Sequence, residues 1–326
     1  MIVPQYWAEA RLRQTVRGKA VTIRRFGWSD ESAEAAQAHA EGRAKEAMER
    51  AEAGESPARR EAKVAYNGAD GMPIREEILA RHGDAVVTRN GYGAPCLNTP
   101  NALFVDIDFP GPNPLVPCLA TVAMVAAAAG IIYGLAVGNY DVALIAAGVF
   151  AVLAAAFALF GQWKNGRDSS KVELAIRDRI ERFLDSRREW KLRVYRTPNG
   201  YRLLAMHRTF DPRGPEAEEA FRELGSDPLY VRMCQNQNCF RARVGPKPWR
   251  MGMEDRMRPR PGVWPVKPER MAERQEWIGR YEARAKEFSS CRFVEEVGGG
   301  RSDTVVVAVQ RLHDDLSGAM TAKPMA

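Results

Sequence analysis

Asp106 and Asp108 stand two residues apart near the end of an apolar run, Ala102-Leu103-Phe104-Val105-Asp106-Ile107-Asp108-Phe109. Alternate side chains of a β-strand share a face. Both carboxylates would then point one way, with Cα atoms roughly 6.5 Å apart, while Val105, Ile107 and Phe109 line the other face. Two carboxylates so placed suit a Mg²⁺ or Mn²⁺ ion whose shell a substrate phosphate completes. The plainer alternative is a pair of exposed strand-end carboxylates. Cations fit for a phosphate lie further along, in Phe240-Arg241-Ala242-Arg243-Val244. The same alternation puts Arg241 and Arg243 on one face, and Lys247 and Arg250 extend the basic end. Guanidinium forks hold phosphate oxygens bidentately, although these arginines could equally pair with acidic neighbours in a salt-bridged sheet face.

The strand ending in Asp-x-Asp resembles the first motif of the archaeo-eukaryotic primase-type nucleotidyltransferases. Their second motif reads Ser-x-x-Gly-Tyr-His. Here Thr197-Pro198-Asn199-Gly200-Tyr201-Arg202 places Arg202 where that histidine would stand. His207 is five residues on and faces the opposite way by parity. A third acidic motif would fall to Asp211 or Glu295. The resemblance implies a domain that keeps phosphate binding, with Arg202 joining Arg241 and Arg243 on the phosphate, and not necessarily turnover. Over its whole length the chain also resembles a family of uncharacterised bacterial membrane proteins. That likeness is carried by Pro73-Ile74-Arg75-Glu76-Glu77, Cys96-Leu97-Asn98-Thr99-Pro100, Tyr195-Arg196-Thr197 and the segment Phe240–Arg250. It implies no particular activity.

The elements that must position these residues read as an α+β domain, a mixed or antiparallel sheet with packed helices, interrupted by a two-helix transmembrane hairpin. Residues 1–110 and 164–326 would be the two halves of a cytoplasmic domain, with the hairpin at 111–163. Strands are expected at Lys19–Phe26, Lys63–Asn67, Asp84–Asn90 and Asn101–Phe109. Turn signals stand at Asn67-Gly68 and Asp70-Gly71. A helix capped near Ser29 runs to about Gly54 and, being nearly free of Leu and Ile, buries little. Pro73 opens a short helix to about Arg81. Beyond the hairpin come a helix from Ser170 and strands Trp190–Thr197 and Tyr201–Arg208 around Pro198-Asn199-Gly200. Helices Pro215–Leu224 and Asp227–Cys234, strand Phe240–Val244 and helix Lys267–Phe288 follow. Strand Cys291–Val297 and helix Thr304–Leu316 complete the set.

Between Phe109 and Gln162 the only formal charge is Asp141, within the break Gly138-Asn139-Tyr140-Asp141. The runs at 115–137 and 142–160 approach the roughly 20 apolar residues of a membrane span. Lys164, Arg167 and Lys171 follow the second run, so the positive-inside bias places both termini in the cytoplasm of a bacterial inner membrane. Ala126, Gly130, Gly134 and Gly138 recur every fourth residue. Such spacing serves close packing within the hairpin or a homodimer through Gly130, Gly134 and Gly138.

The chain has 326 residues and a net charge of +7. Residues 187–250 hold 14 basic and 7 acidic side chains, so they carry the whole imbalance. Such a field suits phosphates, nucleic acid or anionic headgroups. Five scattered cysteines lack zinc spacing. No phosphate-cradling Gly loop, dinucleotide fingerprint or nucleophile–base motif appears. Two functions are open at this point. One is metal-dependent binding or processing of a nucleotide or nucleic-acid phosphate. The other is a non-catalytic membrane-anchored scaffold whose basic face meets lipid or a protein partner.

Overall fold

A ribbon of two long strands opens the fold, β1 (Tyr6–Val16) and β2 (Lys19–Ser29), paired antiparallel along their whole length. Arg17 and Gly18 join them with φ of 50° and 76°, the left-handed geometry of a tight hairpin turn. The computed structural model describes residues 3–61, 73–110, 115–165, 169–259 and 264–326. Side chains are described throughout except at 115–120, 156–165 and 169–170. The expected strand at 63–67 and the Asn67-Gly68 and Asp70-Gly71 turns lie outside the described residues.

Helix α1 (Ala33–Glu52) begins at Ser32, whose hydroxyl accepts the Ala35 N–H at 3.1 Å. Contrary to the expectation of a loosely docked helix, it buries a stripe of Ala36, Ala40, Ala44, Ala47 and Met48. The physical reason is size. Small side chains let the helix approach the ribbon until a Cβ added at Gly27 would lie 2.2 Å from the Ala40 nitrogen and 2.3 Å from the Ala36 oxygen.

Two four-stranded antiparallel sheets follow. Strands β3 (Glu77–His82), β4 (Ala85–Arg89) and β5 (Pro95–Thr99) join the late strand β9 (Phe240–Arg243) in the order β3-β4-β5-β9. Strands β6 (Phe104–Asp108), β7 (Leu192–Thr197), β8 (Gly200–Ala205) and β10 (Arg292–Val297) form the order β10-β7-β8-β6. The segment read as a helix from Pro73 is instead strand β3, because pairing with β4 outweighs the helical leaning of Glu77-Ile78-Leu79-Ala80. Strand β5 was hidden by its Pro, Asn and Thr. Its amide-bearing residue is put to use within the sheet: the Asn98 side chain donates to the Val86 carbonyl and the Thr88 hydroxyl, both at 2.9 Å. Helices α5 (Pro215–Leu224), α6 (Pro228–Gln237), α7 (Met271–Ala285) and α8 (Thr304–Ser317) stand where the sequence places them. Cys96, Cys234, Cys239 and Cys291 are free and buried.

Residues 109–179 form a unit distinct from the one made by 1–108 and 180–326. The second unit holds the helical hairpin, α2 (Leu115–Ala136) and α3 (Tyr140–Asn165), and most of α4 (Ser169–Asp185). Gly138 turns the chain at φ 69°, and the Asn139 side chain accepts the Val142 N–H at 3.3 Å. A Cβ at Gly134 would lie 2.7 Å from the Ala143 nitrogen, and one at Gly130 would lie 3.2 Å from the Ala146 Cβ. Gly130 and Gly134 are thus occupied in packing α2 on α3, and Gly138 in the turn, rather than in joining two copies.

The membrane reading is corrected. Among the described residues no helix is long and apolar enough to cross a membrane. The transmembrane hairpin, the integral two-span membrane partner and the inner-membrane location therefore lack support. What stands is a helical hairpin whose outer faces expose Val122, Val125, Ile132, Leu135, Leu144 and Ile145.

Candidate functional site

Strand register assembles the site. Pairing of β6 with β8 sets Asp106 opposite Arg202 and Asp108 opposite Gly200. The approach at Gly200 admits no side chain, since a Cβ there would lie 1.9 Å from the Ile107 oxygen. Pairing of β5 with β9 sets Asn98 opposite Arg241 and Cys96 opposite Arg243. β6 and β9 are the edge strands of their sheets, and the residues they carry line a single cavity of about 140 Å³. Asp106, Asp108, Arg202, Arg241, Arg243 and Lys247, all singled out from the sequence, contribute to its walls.

Two of these cations are already engaged. Arg202 grips Asp106 with both arms of its fork, at 2.7 and 3.1 Å, and donates to the Arg243 carbonyl at 2.9 Å. Arg241 donates to both oxygens of Glu76, at 2.8 and 2.6 Å. Both guanidinium groups are buried. For this pair the salt-bridged sheet face is what exists, and Arg202 is not free to clamp a phosphate. The same pairing bears on the Mg²⁺ or Mn²⁺ site expected at Asp106 and Asp108. Asp106 is committed to Arg202, and Asp227, the other carboxylate of the cavity, caps α6 by accepting the Tyr230 N–H at 2.8 Å. Among the described residues no three His, Cys, Asp or Glu side chains come together to hold a metal ion.

Arg243, Lys247 and Arg250 are left. None of the three has a carboxylate within 4 Å among the described residues. Burial, then the charges of Arg243 and Arg250, lower the Lys247 ammonium pKa below the usual lysine range. Burial and Arg243 lower Arg250 in the same way. Asp108 stands at the strand end on the rim. Enclosure by the cavity wall and the neighbouring Asp106 raise its pKa, against a hydrogen bond from Asn199.

The backbone holds these cations firmly. The N–H groups of Val244 and Gly245 both donate to the Pro95 carbonyl, at 3.0 and 3.1 Å. A Cβ at Gly245 would meet Pro95 at 2.4 Å. Lys247 then opens a 3-10 turn, Pro248–Met251, closed by Gly252 at φ 78°. Tyr92, Asn199 and Tyr230 also line the cavity and escaped the sequence reading. The Asn90-Gly91-Tyr92-Gly93 turn was a signal for the first of them. There the Asn90 side-chain oxygen accepts the N–H groups of Tyr92 and Ala94 at 3.2 and 3.0 Å.

Behind Arg202 lies a cluster that sequence reading missed, because its members come from separate elements. His313 Nε2 is 3.9 Å from the Cys291 sulfur and 3.5 Å from Arg202, and its Nδ1 is 3.2 Å from Asp314. Asp314 also accepts from Tyr195 at 2.6 Å and Arg193 at 2.7 Å. Burial, the largest single influence, would raise the pKa of the Cys291 thiol, but His313, Arg202 and Ser317 together lower it. Cys291, His313 and Asp314 have the residue types of a thiol hydrolase, yet Cys291 and His313 are fully buried and neither lines the cavity. The cluster braces Arg202 from behind.

No protein family, characterised protein or solved structure matches this chain. Its function rests on the geometry of the cavity.

Proposed function

We propose that the cavity between β6 and β9 binds the phosphate-bearing end of a nucleotide or nucleic acid. The observation that carries this reading is the grouping of Arg243, Lys247 and Arg250 with no carboxylate within 4 Å among the described residues. Burial first, and then the neighbouring cations, hold Lys247 and Arg250 below their usual ranges, and perturbed groups of this kind concentrate at functional sites. An anion offsets the repulsion among these cations. The Asp106–Arg202 and Arg241–Glu76 pairs are each neutral, which leaves three positive charges facing Asp108 and Asp227 and an excess of one. A volume of about 140 Å³ falls below the roughly 300–1,000 Å³ of pockets for drug-sized ligands. That size favours one or two phosphate groups over a whole nucleotide.

Thermal unfolding with inorganic pyrophosphate tests the reading. A ligand that binds only the folded state stabilises it, by about 2.7 kcal/mol at one hundred times Kd. Pyrophosphate at millimolar concentration raises Tm of the wild-type protein and leaves Lys247→Ala/Arg250→Ala unmoved. No rise in wild type, or an equal rise in both, overturns the proposal.

A further inference from the structure

A second, larger cavity of about 670 Å³ adjoins the first, and Tyr92 belongs to the walls of both. Its apolar side is made by Pro248, Trp249 and Met253. Trp249 is 56% exposed, which is unusual for an indole on a rigid turn. The backbone that carries it is fixed: Pro248 starts the turn, and the Met253 N–H donates to the Pro248 carbonyl at 3.1 Å. The Tyr92 ring meets the Trp249 ring edge-on at 5.2 Å, and the Lys247 ammonium lies 5.5 Å from the centre of the Trp249 ring. One side of Trp249 is thus fixed by aromatic and cationic neighbours. Lys247 and Arg250, which flank it in sequence, face the phosphate cavity.

We infer that Trp249 and Tyr92 form a stacking platform for the base of a nucleoside 5′-phosphate whose phosphates lie on Arg243, Lys247 and Arg250. The inference rests on the phosphate reading of the first cavity and adds the residues that would hold the rest of the ligand, its base. Three features select an aromatic base over another apolar group. An indole presents a π-face on which any base stacks. The platform is continuous with a cationic cavity, so a ligand spanning both must join a flat apolar part to an anionic part. The rim carries Glu254, a carboxylate able to accept the exocyclic amino hydrogens of adenine, guanine or cytosine. A free nucleotide and the 5′ end of a strand present the same chemistry to this site.

Calorimetric titration of the full chain compares ADP, inorganic pyrophosphate and a 5′-phosphorylated dinucleotide, in wild type, Trp249→Ala and Trp249→Phe. Base–aromatic stacking strengthens binding by about 5- to 150-fold per base. The wild type is expected to prefer ADP over pyrophosphate by a factor in that range. Trp249→Ala brings the ratio of the two affinities to near one, and Trp249→Phe restores most of it. Equal affinity of wild type for ADP and pyrophosphate overturns the stacking platform and leaves the phosphate site standing. Binding of neither overturns both. The dinucleotide separates the two sources: tighter binding than ADP identifies a strand end, and weaker binding a free nucleotide.

Discussion

At the scale of single residues, the cavity divides into side chains that hold each other and side chains that wait for a ligand. Asp106 belongs to the first set. Removing its carboxylate leaves the Arg202 guanidinium buried without its partner, a change that costs about 3–5 kcal/mol in comparable buried pairs. Urea denaturation of Asp106→Ala is expected to show a loss of that size, and a loss below about 1 kcal/mol would mean that Arg202 finds other support. Asp108 faces the free cations and would repel a bound phosphate. Asp108→Asn is therefore expected to tighten pyrophosphate binding at pH 7, by up to about fivefold for a partly screened charge at the cavity rim. Weaker binding would make Asp108 a direct contact instead. His207 offers a test in pH. Burial and then Arg208 push it down to about 4 from an ordinary 6.5, and it packs against Trp190 and Phe210. The unfolded chain binds the proton more readily, so stability is full above about 6.5 and declines as pH falls toward 4. In His207→Phe the fall in urea midpoint across that window should flatten, and an unchanged slope would assign it to other groups. What could be read from the sequence at this scale was parity: alternation along 102–109 and 240–244 correctly grouped side chains that share one cavity. What could not be read was partnership. Asp106 and Arg202 are 96 residues apart, and their direct opposition depends on a register that only the folded sheet supplies.

At the scale of elements, local rules succeeded where turns and caps announce themselves. Pro215 and Gly225 bound α5 as expected, the Pro at the start and the glycine in left-handed geometry past the end. They failed where tertiary pairing decides. β3 carries helix-forming residues and β5 carries turn-forming ones, yet each is satisfied by a neighbouring strand. Helix α1 was misjudged for a different reason. Counting large apolar residues misses a surface that works by being small, with Ala36 and Ala40 set against Gly27. The consequence is measurable. Gly27→Ala inserts a methyl where the helix backbone already sits, and overpacking of this kind costs about 1–3 kcal/mol. The expected signature is a lowered unfolding midpoint, whereas Gly18→Ala, strained only by its positive φ, serves to calibrate backbone effects. An unaltered midpoint in Gly27→Ala would show that α1 can lift away at no cost.

For the molecule as a whole, the sequence marked the hairpin plainly, and its length and charge pattern led to a membrane assignment that the described helices do not bear out. The candidate site lies wholly within the unit made by 1–108 and 180–326. Replacing residues 109–179 with a flexible linker of about 20 residues should preserve cooperative unfolding and the pyrophosphate-induced rise in Tm. Loss of either would show that the hairpin supports the fold that carries the site. The buried thiols offer a different use. Cys96 sits on β5, Cys234 on α6, and Cys239 and Cys291 directly precede β9 and β10. Burial raises the Cys239 thiol to about 12. A thiol reagent added to the native protein must wait for the chain to open. These four positions are therefore a set of clocks distributed over both four-stranded sheets and a covering helix, and mass spectrometry of labelled peptides would time each separately. Slower labelling of Cys96 and Cys239 in the presence of pyrophosphate would reveal how far an occupied cavity tightens the strands around it.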